Sequence, residues 1–184
     1  RASVSVETSL HWGVKYEPLS TLIYESIYDT EVGEFGCVPH GRIPFLAASP
    51  DGINIKKTAS LYGRMLEIKN IVNREINGNP KPEYWIQMQL QMEVCDLDDC
   101  DFLETRFVEY DSYEDFVADS SSDSPFTRTM DGQMKGMFLY FDDNGIPLYC
   151  YPRVGCTSEE YFEWETKTIA TYSHMTWIRT ICWK

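Results

Sequence analysis

The sequence predicts a mixed α/β (α+β) fold: a mixed central β-sheet flanked by helices, with an additional hairpin and helix toward the C-terminus. Two patterns predict it. Apolar residues recur at helical spacing near the N-terminus and again after residue 82, and short strand-like runs lie between and beyond those segments in the order α, several β, α, β hairpin, α. The 184 residues, 43% of them hydrophobic, suffice for one domain with a real core and are too few for two full ones. The expected organisation is therefore one domain over 1–184, with a core at about 11–110, an acidic insert at about 111–131 and a hairpin and helix at about 134–184. Only 24% of residues are charged and glycine and proline number 11 and 9, which excludes disorder, collagen-like repeats and low-complexity scaffolding.

From Trp12 to Ile27 the apolar residues Leu19, Leu22, Ile23 and Ile27 predict a helix that presents Glu17 near its start, with Pro18 tolerated in a first turn or at a kink. Residues 32–38 and 43–48 read as short strands. Ser49-Pro50-Asp51-Gly52 is a turn leading into a strand at Ile53–Ile55, an arrangement that predicts a hairpin with Asp51 at its edge. Along Leu61–Lys69, strand alternation places Met65, Glu67 and Lys69 on one face and Leu66 and Ile68 on the other. Asn70–Lys81 is a polar loop, and Pro82 opens a helix to about Val94 with Tyr84, Gln87 and Gln91 on one stripe. Asp101–Tyr110 is strand-like, and Ser112–Asp131 is the most loop-like segment, read as an acidic insert or lid. Met137–Phe141 and Ile146–Tyr151 flank Asp142-Asp143-Asn144-Gly145, a hairpin signal, and Thr157 with Glu160 forms a capping box for a final helix.

A net charge of −13, taken whole, excludes a protein that coats nucleic acid non-specifically. The distribution of charge qualifies that exclusion: residues 41–82 carry seven basic and three acidic groups, whereas residues 83–143 carry three and sixteen. Lys56, Lys57, Arg64, Lys69, Arg74 and Lys81 thus form a basic island that either meets a polyanion or is simply solvated. The six cysteines, without a signal-like N-terminus over Arg1–Ser9, predict free thiols in a reducing, intracellular compartment and no secretion. Cys95 with Cys100 and Cys150 with Cys156 can be drawn as zinc pairs, but the spacings are loose and buried thiols are the competing reading. No run of about 18 apolar residues suggests a membrane span. Arg1 is not a natural start, so a fragment of a longer chain is expected.

The residues that carry chemistry are Asp51 after one strand and Glu67 and Lys69, two apart, on the next. Two carboxylates offer hard oxygen ligands suited to Mg²⁺ or Mn²⁺, and the backbone carbonyl of Ile68 lies between the two same-face side chains as a third. Lys69 is then placed to orient or deprotonate an attacking water once bound metal has neutralised the neighbouring carboxylates. The bland reading of the bare pattern is an Asp-Gly turn beside an exposed ion pair worth well under about 1 kcal/mol.

Four motifs in one order widen the pattern: Lys15-Tyr16-Glu17, Ala48-Ser49-Pro50-Asp51-Gly52, Leu66-Glu67-Ile68-Lys69 and Tyr84-Trp85-Ile86-Gln87-Met88-Gln89. Over about residues 11–110 the chain resembles the phage lambda exonuclease and YqaJ-type viral recombinase nucleases of the PD-(D/E)XK superfamily. The resemblance implies a restriction-endonuclease-like core and a deoxyribonuclease with two Mg²⁺ or Mn²⁺ ions. Asp51, Glu67 and the Ile68 carbonyl would hold the first ion, Asp51 would bridge to the second, and Glu17 would contribute to the cluster. Gln87 would contact water or the scissile phosphate, supported by Tyr84. Gln89 and Gln91 stay unassigned. Two ions flanking one phosphate stabilise both the entering and the leaving oxygen of an in-line displacement.

The resemblance further implies 5′-to-3′ degradation of one strand of duplex DNA in viral recombination or DNA processing, in host cytoplasm or nucleus, leaving single strand for an annealing partner. It also implies a homo-oligomer, since relatives of this type form rings around DNA. Tyr84, Arg64, Arg74 and Lys81 are the candidate nucleic-acid contacts. The 5′-phosphate pocket of such enzymes would lie before His11, where Arg1–Leu10 shows no match. Two alternatives stand: an endonuclease on DNA or RNA with the same metal core, and a catalytically silent module binding nucleic acid or a partner. His11, His40 and His174 lack an accompanying nucleophile motif and read as packing or surface residues.

Overall fold

Met65-Leu66-Glu67-Ile68 is a run of four consecutive buried residues, which a strand achieves only when both faces of its sheet are covered. It forms the first part of strand β5 (Met65–Asn70), in the middle of a mixed four-stranded sheet. The computed structural model describes residues 5–184, so the reading of Arg1 falls outside the described residues. They divide into two compact units, Tyr16–Arg106 and, second, Phe107–Lys184 with the residues up to Lys15. Among the described residues no helix is long and apolar enough to cross a membrane.

The first unit contains helix α1 (Ser9–Tyr28) from Tyr16 onward, β1 (Val32–Gly33), β2 (Val38–Pro39), β3 (Ala47–Ala48), β4 (Gly52–Asn54), β5, helix α2 (Pro82–Cys95) and β6 (Cys100–Thr105). The strand order is β1-β4-β5-β6, antiparallel except for the parallel β5–β6 pair, so the expected mixed sheet is present. Leu66 and Ile68 form a core cluster with Tyr24 of α1. On the opposite face Lys69 lies against the Tyr84 ring of α2, as strand alternation predicts. A polar knot adds to the α1 packing: Asn70 Nδ2 donates to Ser20 Oγ and Thr105 Oγ1, and Ser20 Oγ donates to the Tyr16 carbonyl.

Two expectations in this unit are corrected, and one apolar residue of the helical spacing lies outside the core. Pro18 lies in the middle of α1 and not in its first turn, because the helix begins at Ser9; Glu17 is accordingly mid-helix. Ile27 is exposed, since the buried stripe of α1 runs through Tyr16, Leu19, Ser20, Ile23 and Tyr24 and ends there. The turn at Ser49–Gly52 does not close a hairpin: β3 pairs with β2, while β4 pairs with β1 and β5. Helix α2 matches its expected bounds, with Pro82 in the first turn and Asp96 in the left-handed region as its C-cap.

The second unit holds α3 (Tyr113–Ala118), β7 (Gly136–Asp143), β8 (Ile146–Cys150), α4 (Ser158–Thr171) and β9 (Thr176–Trp183), with β7 central in an antiparallel β8-β7-β9 sheet. The β7–β8 turn has Asn144 and Gly145 at φ 52° and 87°, the left-handed pair a two-residue hairpin loop requires. Thr157 Oγ1 caps α4 by accepting the Glu160 N–H at 3.2 Å, while the Glu160 carboxylate is engaged by Arg153.

Two expectations are corrected here. Ser112–Asp131 is not loop throughout: Ser112 caps α3, and Phe116, 1% exposed, packs in the core with Met137, Cys156, Tyr161 and Cys182. Lys135 Nζ donates to the Phe116 and Asp119 carbonyls, closing that segment down. A single aromatic anchor among serines and acids leaves a loop-like composition even where the chain is packed. Nor is α4 final, because β9 follows it. The β-branched and aromatic content of Thr176–Trp183 is a strand signal.

Candidate active site

The ladder between β4 and β5 decides which carboxylates meet. Gly52 pairs with Leu66, so Asp51, one residue earlier, stands across from Glu67, one residue later. Asp51 Oδ2 accepts the main-chain N–H of Ile68 at 2.7 Å, which ties the turn to the next strand. Gly52 lets β1 approach: a Cβ there would lie 2.2 Å from Val32 Cγ1.

Glu67 is 1% exposed. Its Oε1 accepts from Lys69 Nζ at 2.8 Å, and its Oε2 is buried without a hydrogen-bond partner. Lys69 Nζ lies 4.7 Å from the centre of the Tyr84 ring, and Lys81 Nζ lies 5.8 Å from it, so the two ammonium groups share one aromatic ring. Tyr84 also neighbours Phe102, which pairs with Glu67 across β5–β6. Gln87 lies on the α2 stripe between Tyr84, at Lys69, and Gln91, whose Nε2 donates to the Ser49 carbonyl at 3.4 Å.

The electrostatics of this cluster are unbalanced. Burial, reinforced by the charges of Glu67 and Glu17, pushes the Asp51 carboxyl up to about 7, against the Ile68 N–H and Lys69. Glu17 is raised as well, by burial and by Glu34 and Glu67. Three carboxylates thus act on one another with Lys69 as the cation among them, and a buried oxygen of Glu67 has no donor. These are conditions a divalent cation would relieve, and hard oxygen donors suit Mg²⁺ or Mn²⁺. Among the described residues no three His, Cys, Asp or Glu side chains gather at metal-ligating distances. The donor set that fits is therefore two carboxylates plus the Ile68 main-chain carbonyl, with Glu17 in their electrostatic field.

The basic island is partly engaged within the fold. Lys56 pairs with Asp29 at 2.8 Å. Arg64 is held by Asp101 at 2.7 Å and precedes β5, roughly 16 Å along the strand from Lys69. The structure does not bring Arg64 to the carboxylates. Arg74 pairs with Glu104, which lies opposite Lys69 in the β5–β6 ladder and so beside the site. All six cysteines are free thiols. Cys95 ends α2 and Cys150 lies in β8. His11 contacts the Tyr149 hydroxyl, His40 organises the β2–β3 loop, and His174 is exposed.

The YqaJ-like viral recombinase domain matches residues 2–98, just over half of the chain. Uncharacterized protein R354 of Acanthamoeba polyphaga mimivirus is 37% identical over an alignment of 188 positions that covers 89% of this chain and 34% of that protein. The chain thus spans about a third of the length of this relative. Among solved structures, an alkaline exonuclease (LHK-Exo) of Laribacter hongkongensis is 28% identical, with 55% of this chain and 52% of that one covered at a TM-score of 0.45. LHK-Exo in complex with dAMP is 21% identical, with 94% and 70% covered at a TM-score of 0.44. The matched stretch holds every residue of the Asp51, Glu67, Lys69 and Gln87 cluster, and the chain belongs to the family of YqaJ-like viral recombinase domains.

Proposed function

We propose that the first unit is a divalent-metal-dependent nuclease that hydrolyses DNA phosphodiester bonds, as a 5′-to-3′ exonuclease on duplex DNA. The observation that carries this reading is the pairing of Asp51, fixed on the Ile68 amide, with Glu67, whose buried Oε2 has no donor. The family match supports it, since a viral recombinase domain acts in DNA recombination.

In this reading Asp51, Glu67 and the Ile68 carbonyl would hold one Mg²⁺ or Mn²⁺ ion, and Asp51 with Glu17 would serve a second. Bound divalent ions supply Lewis-acid charge beside the phosphate and lower the pKa of water. The chain's own groups do the rest. Asp51 is kept in place by the Ile68 N–H, and Lys69, beside the Tyr84 ring, orients the attacking water; once bound cations neutralise the neighbouring carboxylates and the lysine has released its own proton to solvent, the free amine takes the proton of that water. Gln87 faces the ground between Lys69 and the Asp51 turn, where the scissile phosphate would lie. Arg74 and Lys81 flank that ground as phosphate contacts, whereas Arg64 keeps a structural role on Asp101. Duplex DNA is the substrate, an annealing protein the receiver of the exposed strand, and the interior of an infected cell the place of action.

The test is hydrolysis of a linear duplex, labelled at either the 5′ or the 3′ end, beside a covalently closed circle. Mn²⁺, Mg²⁺ and chelator are compared for the wild type and Glu67→Gln. Early release of the 5′ label, dependent on metal and on Glu67, with the circle intact, is the expected result. Cutting of the circle would identify an endonuclease, and hydrolysis of neither would leave a silent binding module.

A further inference from the structure

The turn that carries Asp51 has little ladder of its own. On its upstream side β3 is two residues long and, among the described residues, pairs with β2 alone, and β4 begins one residue after Asp51. Downstream, the β4–β5 register and the Ile68 N–H hold Asp51 in place. Upstream, the main-chain carbonyl of Ser49 is bound by a side chain of α2, the Nε2 of Gln91 at 3.4 Å. The same helix holds the ribbon once more, two residues on. His40 Nδ1 accepts the Arg42 and Ile43 N–H groups at 3.0 Å each, so its Nε2 carries the proton it donates to Glu93 Oε1 at 3.2 Å.

Gln91 itself is an odd choice for packing. It is 4% exposed, lies between Met88 and Val94 on the buried stripe of α2, and its Oε1 is buried without a donor. A buried amide with one of its polar atoms unpaired stabilises a fold less than a methionine of the same length would. What the amide adds over methionine is the bond to Ser49.

We propose that Gln91 is a positioning residue for Asp51: by holding the Ser49 carbonyl it sets the turn so that the Asp51 carboxylate meets Glu67 at cation-binding distance. This rests on the nuclease reading above. Without the Ser49 tether, the turn samples positions in which Asp51 leaves Glu67, and the cation is bound more weakly while the chemistry of Lys69 is unchanged.

The experiment compares the wild type, Gln91→Met, Gln91→Glu and Asp51→Asn. Metal-free thermal unfolding, calorimetric Mn²⁺ titration without DNA, and initial rates on linear duplex at varied Mn²⁺ are the three readouts. Gln91→Met is expected to melt at or above the wild-type temperature and to bind Mn²⁺ about 10-fold more weakly, within the range for loss of a residue supporting a metal ligand. Its rate should return to the wild-type value at saturating Mn²⁺. Gln91→Glu, whose carboxylate repels the Ser49 carbonyl, should bind more weakly still, and it carries the test if the methionine variant does not fold. A folded variant with wild-type Mn²⁺ affinity overturns the proposal, as does a lowered maximal rate with unchanged affinity. Failure of the wild type to bind Mn²⁺ at all is a separate result, which overturns the nuclease reading and this inference with it.

Discussion

The carboxylate of Asp51 accepts the main-chain N–H of Ile68 at 2.7 Å, so a residue from the turn before one strand is tied to the peptide that separates Glu67 from Lys69 on the next. One hydrogen bond thereby draws an acid, a second acid and a base into one small volume. Charge, burial and strand packing each support that arrangement, and each can be removed separately.

Lys69 and Asp51 should separate in their effects. Lys69→Ala removes the proposed base and leaves both carboxylates, so Mn²⁺ affinity is retained while turnover falls about 10²–10⁴-fold. Asp51→Asn can still present an oxygen to the Ile68 N–H, yet it loses the charge, so Mn²⁺ affinity falls along with turnover. Calorimetry and single-turnover kinetics on both variants check this, and equal metal loss in the two would reject the division of roles.

Metal should stabilise the wild type and not Glu67→Gln. An ion that binds only the folded state adds about 2.7 kcal/mol at 100 times its dissociation constant. The buried, half-partnered Glu67 carboxylate is the reason the metal-free protein has something to gain. Thermal unfolding with Mn²⁺ against chelator should show a rise for the wild type. No rise is expected for Glu67→Gln, whose metal-free melting temperature should equal or exceed that of the wild type.

Gly52 is a steric requirement. A methyl there would meet Val32 Cγ1 at 2.2 Å, so Gly52→Ala should destabilise by about 1–3 kcal/mol through forced separation of β1 from β4. Removing the obstacle in Gly52→Ala/Val32→Ala should restore more than the single changes add up to. Chemical denaturation of the four proteins measures that coupling, and strict additivity would count against the clash.

Phe116 tests whether 112–131 is structural. As a 1%-exposed ring packed on Tyr110 and Phe126, its truncation to alanine should cost about 3–5 kcal/mol. A lid would lose almost nothing. Unfolding followed by tryptophan fluorescence distinguishes the two.

Asp119 should give the second unit an acid-sensitive limb. The Met130 N–H, the Tyr110 hydroxyl and Lys184 together hold its carboxyl down at about 2. Its folded pKa lies below the unfolded one of 3.8, so its stabilisation is complete above about pH 4 and is lost as pH falls toward 2. The difference in melting temperature between the wild type and Asp119→Asn should therefore be largest above pH 4 and close toward pH 2. A pH-independent difference would assign the effect to packing instead of charge.

Much of the candidate site is legible in the amino-acid sequence. Strand alternation alone puts Glu67 and Lys69 on one face, and the stripe of α2 puts Tyr84 and Gln87 on another single face, because both periodicities follow from local backbone geometry. The Asn144-Gly145 turn and the Thr157 cap are legible for the same reason: each depends on side chains within four residues. Long-range contacts hide the rest. Ile27 continues the apolar spacing of α1 but has no neighbour to cover it, and Phe116 looks like a loop residue until Tyr110, Phe126 and Cys182 surround it. Arg64 belongs to the same basic island as Arg74, and only the ladder shows that one is at Asp101 and the other beside Lys69.

By itself, then, the sequence determined which residue types face together within each helix and strand, where the tight turns fall, and which motifs tie the chain to its family. Tertiary structure alone decided the register of the β4–β5 pair, which sets Asp51 across from Glu67, and that Gln91 reaches the Ser49 carbonyl. The physical reason is the range of the forces involved. Periodicity and capping act over one turn or one pleat, whereas strand register and buried polar partners depend on segments 17 to 42 residues apart, whose meeting is settled only when the whole core closes.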